Sequence, residues 1–113
     1  MRKLNLKNYT VRFRVPDKMN PGHEIEAEYP YHVKTTILNL MFNSALQLSN
    51  AEVVRQYILA TKLEQCKDDE ILLEEEEYER IKTAFETFKG YSKADVELVT
   101  RIDEAEVVEV EEK

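Results

Sequence analysis

Cysteine occurs once, glycine twice and proline three times in this chain of 113 residues, and each scarcity excludes something. A lone thiol, Cys66, has no internal partner, so the disulfide scaffolds of oxidising compartments are ruled out. Gly22 and Gly90 are too few and too far apart to build a glycine-rich phosphate loop. With so little proline and glycine, long linkers and low-complexity segments are not expected either. No stretch approaches the ~18–20 apolar residues of a membrane-spanning helix. Met1-Arg2-Lys3-Leu4 begins basic but lacks the apolar run of a signal peptide. The expectation is an intracellular, cytoplasmic protein with no membrane partner.

Histidine is scarce as well. His23 falls in a turn and His32 near a helix start, and neither stands in a serine or cysteine arrangement that suggests a hydrolytic triad. Cys66 lies beside Lys67 at a helix end, where an inert, partly buried thiol is the simpler reading.

What remains is charge on a modest apolar core. Apolar residues make up 42% and charged residues 35%, the balance of a heavily solvated globular domain. Splitting a chain of this length leaves pieces too small for a stable core, so one domain is expected. The net charge of −7 is unevenly spread. Arg2, Lys3, Lys7, Arg12, Arg14 and Lys18 face only Asp17 in the first 22 residues, whereas carboxylates crowd 64–79 and the end from Asp103. Phosphate recognition needs clustered cations, so nucleic acid is not an expected partner.

Along the chain, Tyr9, Val11, Phe13 and Val15 alternate with Thr10, Arg12 and Arg14, the period of a half-buried strand. Leu4 and Leu6 continue its parity. Pro16-Asp17-Lys18-Met19-Asn20-Pro21-Gly22 signals a turn, and Ile25, Ala27, Tyr29 and Tyr31 then alternate with Glu24, Glu26 and Glu28. Setting Val15 opposite His23 pairs Arg14 with Glu24, Arg12 with Glu26, Phe13 with Ile25 and Val11 with Ala27. A lone hairpin is marginal, and the apolar segment Val33–Phe42 is expected to cover it as a central buried helix. Ser49-Asn50-Ala51-Glu52 has the form of a capping box opening a second helix to about Gln65, with Val53, Tyr57, Val54 and Ile58 at i,i+4 spacing. Ile71-Leu72-Leu73 is a short strand or an apolar lead-in. Glu74, Glu75, Glu76 and Glu77 begin a third helix, where the macrodipole favours carboxylates. Its stripe is Tyr78, Ile81, Phe85 and Phe88, with Gly90 expected as the C′ residue. Ser92 opens a fourth helix with Val96, Val99 and Ile102 on one face and Leu98 beside them. Val108 and Val110 belong to an edge strand or a fraying end.

The expected fold is therefore α+β: an N-terminal antiparallel β-hairpin packed on about four α-helices, with a short extra strand near 71–73 or 106–110. Residues 1–105 form the domain and 106–113 an acidic tail or edge strand.

Chemistry finds little purchase. Consecutive carboxylates at 74–77 fan out around a helix and do not converge on a pocket. Asp68-Asp69-Glu70 lacks the glycine and alternating oxygens of a calcium loop. The fourth helix offers Lys93 and Arg101 but also Asp95, Glu97, Asp103 and Glu104, a poor fit to a DNA groove. No catalytic residue, cofactor or metal is expected.

The segment Val33-Lys34-Thr35-Thr36-Ile37-Leu38-Asn39-Leu40, then Leu48-Ser49-Asn50-Ala51-Glu52, then Ile71-Leu72-Leu73 and an acidic helix start with Tyr78 and Ile81, forms a loose pattern. Over about Val33 to Ala105 it resembles small accessory proteins of tailed bacteriophages. The resemblance implies a viral origin, in the host cytoplasm or the virion, and carries over no catalytic position. The expected function is a non-enzymatic protein-interaction module in assembly or regulation, with a viral structural or host protein as partner. Self-association through hairpin edges or helix faces is a further expectation. Its surface candidates are Glu74, Glu75, Glu76, Glu77, Arg12 and Arg14. The alternative is an acidic inhibitor that mimics nucleic acid and occupies a basic groove on a host enzyme.

Overall fold

A computed structural model describes residues 1–108 and gives an α+β fold with four α-helices and five strands in two antiparallel sheets. The strands are β1 (Arg2–Asn5), β2 (Tyr9–Pro16), β3 (Glu24–Tyr31), β4 (Glu70–Leu73) and β5 (Glu106–Val107). The helices are α1 (Val33–Met41), α2 (Asn50–Gln65), α3 (Glu75–Thr87) and α4 (Val96–Asp103), with single 3₁₀ turns at Ser44–Leu46 and Lys93–Asp95.

One sheet has the order β4-β1-β5. Leu4 pairs with Ile71 and Arg2 with Leu73, so β1 turns Leu4 inward beside two buried side chains of β4. Both expected extra strands are present: 70–73 on one side of β1 and 106–107 at the other edge. The amide of Val108 donates to the Met1 carbonyl at 2.8 Å; the expectation for Val110 lies outside the described residues. Contrary to the parity reading, β1 does not extend the hairpin. Asn5 accepts the Lys7 amide at 2.9 Å and turns the chain, while Leu6 donates to Asp69 at 2.6 Å. Asn8 Oδ1 then accepts the Val33 amide at 2.9 Å, satisfying an orphan donor at the start of α1 that His32 leaves unmet.

The second sheet is the β2–β3 hairpin, with Arg12 opposite Glu28, Arg14 opposite Glu26 and Phe13 opposite Ala27. The expected register is thus displaced by two residues, which preserves both faces and the pairing of basic with acidic strand. The loop sets the displacement. Asp17 donates to the His23 carbonyl at 2.9 Å and His23 to that of Asn20 at 3.1 Å, so the turn closes within 17–23, with Gly22 at φ +88°. The adopted register also stacks Tyr9 on Tyr31, ring centroids 4.5 Å apart.

The core lies between the three-stranded sheet and the helices. Leu4, Val33, Ile37, Met41, Leu63, Leu73, Tyr78, Ile81, Leu98 and Ile102 are all fully buried. Gln56 is the one buried polar side chain among the described residues, and it is satisfied: Nε2 donates to the Met41 carbonyl at 3.0 Å, and Oε1 accepts from Arg80. Tyr78 donates its hydroxyl to Ile102 at 2.6 Å while the Arg2 guanidinium sits 4.6 Å from its ring centre.

Three expected faces need correction. Helix α1 buries Val33, Ile37, Leu40 and Met41 in this core and does not cover the hairpin. Helix α2 buries Gln56, Leu59, Ala60 and Leu63, leaving Val53, Val54, Tyr57 and Ile58 in solvent. Helix α4 buries Leu98 and Ile102, not Val96. Helix α3 buries Tyr78, Ile81 and Phe85 as expected, but it ends at Thr87, so Gly90, at φ +112°, lies one residue beyond C′.

Candidate interaction surfaces

The hairpin departs from the body because only its base meets the core. Tyr31 is buried and Tyr9 and Val11 are half-buried against the core, whereas Phe13, Ile25 and Tyr29 are 37%, 48% and 44% exposed. All of these share one face, so the ribbon presents apolar side chains to water over most of its length. The principal extents are 62 × 34 × 23 Å, and the radius of gyration is 17.0 Å. A compact chain of this length has about 13 Å. A projecting arm accounts for the difference.

Its base is held by a polar cluster on the segment preceding α4. Tyr31 donates its hydroxyl to Asp95 Oδ1 in a short hydrogen bond, and Asp95 Oδ2 accepts the Ser92 amide at 2.8 Å and the Ser92 hydroxyl at 3.2 Å. Tyr9 donates to the Ala94 carbonyl at 2.7 Å, with the Arg101 guanidinium 5.0 Å from its ring centre. Arg101 also donates to the Lys7 carbonyl at 2.6 Å. Burial pushes the Tyr31 hydroxyl well above its ordinary pKa, and the Asp95 charge adds to the effect. Burial opposes the charge on Asp95, but the donors from Tyr31 and Ser92 outweigh it and hold that carboxyl below its usual range. The two groups therefore act as a neutral donor and a charged acceptor that fix the arm's root.

The arm's two edges differ from its face. Proline has no amide, so Thr10↔Pro30 and Pro16↔Glu24 are the wide pairs whose backbone groups face away from the partner strand. The outward positions are then Thr10, Arg12, Arg14 and Pro16 on β2, and Glu24, Glu26, Glu28 and Pro30 on β3. Each edge lacks one amide and carries charge of one sign, the usual protection against strand addition. Arg12 is paired with Glu28 at 2.9 Å across the ribbon.

The four glutamates singled out from sequence are gathered at the start of α3 but largely engaged within the fold. Glu77 Oε1 accepts the Glu74 amide at 2.9 Å and the Lys62 ammonium at 2.8 Å. Glu75 accepts from Arg2 at 2.9 Å, and Glu76 lies 3.9 Å from Arg80. Arg12 and Arg14 sit apart from them on the arm, and no ion pair joins the two groups among the described residues. His32 is exposed at the start of α1, His23 is exposed in the arm's loop, and half-buried Cys66 ends α2, its thiol near the carbonyls of Asp68 and Glu70.

Sequence reasoning missed the outer face of α2, where Tyr57 and Ile58 are 67% and 64% exposed. The i,i+4 spacing of Val53/Tyr57 and Val54/Ile58 is the same signal a core stripe gives. The competing stripe Gln56-Leu59-Ala60-Leu63 was the clue that this helix is apolar on two sides. Between α2 and α3 runs a cleft of about 310 Å³ lined by Leu46, Leu48, Glu52, Gln56, Arg80 and Thr83. A wider hollow of about 670 Å³ lies over Ile71 and Leu72, rimmed by Lys3, Lys62 and Glu70. Cys66 and Asp68 also border this second hollow, the thiol lying near the backbone carbonyls of Asp68 and Glu70.

The fold and these surfaces define an α+β protein with an anchored, projecting β-arm and an apolar outer helix. No family model, curated protein or solved structure matches the chain. No helix among the described residues is long and apolar enough to cross a membrane.

Proposed function

We propose that this protein is a non-enzymatic interaction module whose contact element is the β2–β3 arm. The supporting observation is the unpartnered apolar face of Phe13, Ile25 and Tyr29 on a ribbon rigidly held at its root. A two-stranded ribbon is marginal in water, and an aromatic face of this kind is typical of interface centres. The assignment to bacteriophage assembly or regulation rests on the sequence resemblance and belongs to the same proposal, as does a protein partner from virion or host. The nucleic-acid mimic has less support, because Glu75 and Glu77 already neutralise Arg2 and Lys62.

Affinity capture at low salt with the intact chain and with an arm variant, Phe13→Ser/Tyr29→Ser, tests the proposal. The expected result is a specific protein retained by the wild type and lost by the variant. A partner retained by the variant but released when Glu74 to Glu77 are changed to glutamine overturns it in favour of the mimic.

A further inference from the structure

The arm is not the chain's one exposed apolar surface: the outer side of α2 carries Val53, Val54, Tyr57 and Ile58, all 40% exposed or more. The two surfaces correspond in dimension. An eight-residue ribbon is about 26 Å long and a sixteen-residue helix about 24 Å; the lengths are those of β2, β3 and α2. A sheet's apolar face laid on a helix's apolar stripe is a standard two-layer packing. Within one chain neither surface covers the other, since both are open. The arm's root is fixed by Tyr31 on Asp95 and Tyr9 on Ala94, so folding back would break those bonds.

We propose that the arm of one copy lies along α2 of a second copy, and that the exchange is reciprocal about a two-fold axis. This rests on the reading of the arm as the contact element and names its occupant. Area decides the geometry. Each surface offers on the order of 400 Å² of exposed apolar side chain. One arm-on-arm or helix-on-helix contact therefore buries about 800 Å², the range of adventitious packing. Two arm-on-helix contacts bury about 1,600 Å², a standard specific interface. Charge favours a second copy here as well. The chain carries −7, but the arm from Tyr9 to Tyr31 holds three cations against four carboxylates, and α2 holds two of each. These are surfaces on which two copies of an acidic chain meet with little repulsion. Pairing through like edges instead sets Arg12 and Arg14 of the two copies against each other, or Glu24, Glu26 and Glu28.

Light scattering and sedimentation equilibrium over a wide concentration range test the inference on three proteins: wild type, Phe13→Ser/Tyr29→Ser, and Val54→Ser/Ile58→Ser. All substituted side chains are exposed, so circular dichroism should match wild type, as should melting at concentrations where all three proteins are monomeric. The expected result is a wild-type dimer, with dissociation strengthened more than roughly tenfold by either pair of substitutions. Mixing the two variants restores one intact arm-on-helix contact, so the mixture associates more tightly than either variant alone. A dimer weakened by the arm variant alone, or by the helix variant alone, overturns the exchange in favour of a like-with-like contact. Oligomers indifferent to both variants overturn it in favour of edge pairing. A wild-type monomer at all concentrations overturns it too; arm-dependent capture of a different protein would then leave the broader reading standing, and absence of that capture would remove both.

Discussion

Replacing Asp95 with alanine releases three donors at the arm's root: the Tyr31 hydroxyl and the amide and hydroxyl of Ser92. A hydrogen bond to a charged acceptor contributes about 1.5–3 kcal/mol, and loss of a helix-start cap costs about 1 kcal/mol. The expected loss is about 2–4 kcal/mol in urea unfolding. Tyr31→Phe removes only the hydroxyl and leaves Asp95 bonded to Ser92, so its cost should be smaller, about 1–2 kcal/mol. Because both substitutions break the same bond, their costs should not add: the double variant should fall short of the sum by about 1 kcal/mol or more. Hydrogen exchange in both single variants should speed up throughout the arm, while the core amides of Ile81 and Leu98 speed up by no more than the loss of global stability. Additivity within about 0.5 kcal/mol, or unchanged exchange in the arm, would refute the claim that this bond fixes the hairpin.

The orientation of α2 is tested by a contrast at protein concentrations where the chain is monomeric: Leu59→Ala should cost about 2–5 kcal/mol, and Ile58→Ser should stay within about 0.5 kcal/mol; equal costs in denaturant would rule out the assigned face. Glu77→Ala should destabilise by about 1–2 kcal/mol through loss of the cap on Glu74 and the bond from Lys62, whereas Glu76→Ala should be nearly silent in the same assay. Acid should act through Asp95, whose folded pKa lies below the unfolded value of 3.8. Its contribution is present above that value and lost as pH falls through the lowered one. Alkali should act through Tyr9, Tyr31 and Tyr91, all raised above 10.0, Tyr91 to about 12. Their contribution is full below pH 10 and lost as pH rises through the folded values, so melting temperature should fall at both extremes.

Sequence alone revealed those elements whose signals are local. Alternation from Tyr9 to Val15 and from Ile25 to Tyr31 gave the hairpin, and opposed arginine and glutamate gave which strand faces which. Register slipped because its determinant, the bond between Asp17 and His23, is a loop geometry that alternation does not encode. The start of α3 was legible from its carboxylates and the end of β4 from its apolar run. The faces of α1, α2 and α4 were not, because apolar spacing reports that a stripe exists and not whether a neighbour covers it. Asn8 and Asp95 show a second limit. Each works through a partner distant in sequence, Asn8 capping Val33 and Asp95 holding Tyr31; the capping box from Ser92 to Asp95 marks a helix start and carries no signal for Tyr31. The candidate carboxylates were found where expected, but their engagement by Arg2 and Lys62 depended on contacts 73 and 15 residues away in sequence.

The position of β1 at the centre of its sheet bears on the order in which the chain acquires structure. Its neighbours are β4, beginning at Glu70, and β5, beginning at Glu106, and the Met1–Val108 contact spans 107 residues. Loops of that length close slowly, and their entropy is lost before any pairing rewards it. The arm, by contrast, needs only its own turn and can form in about 1–10 μs. The fastest element to assemble is therefore one that meets the core only at its base, while β1 waits for a partner strand far along the chain. Until β5 arrives, β1 offers an unpaired edge, and the interval of greatest exposure to misassembly falls at the end of folding.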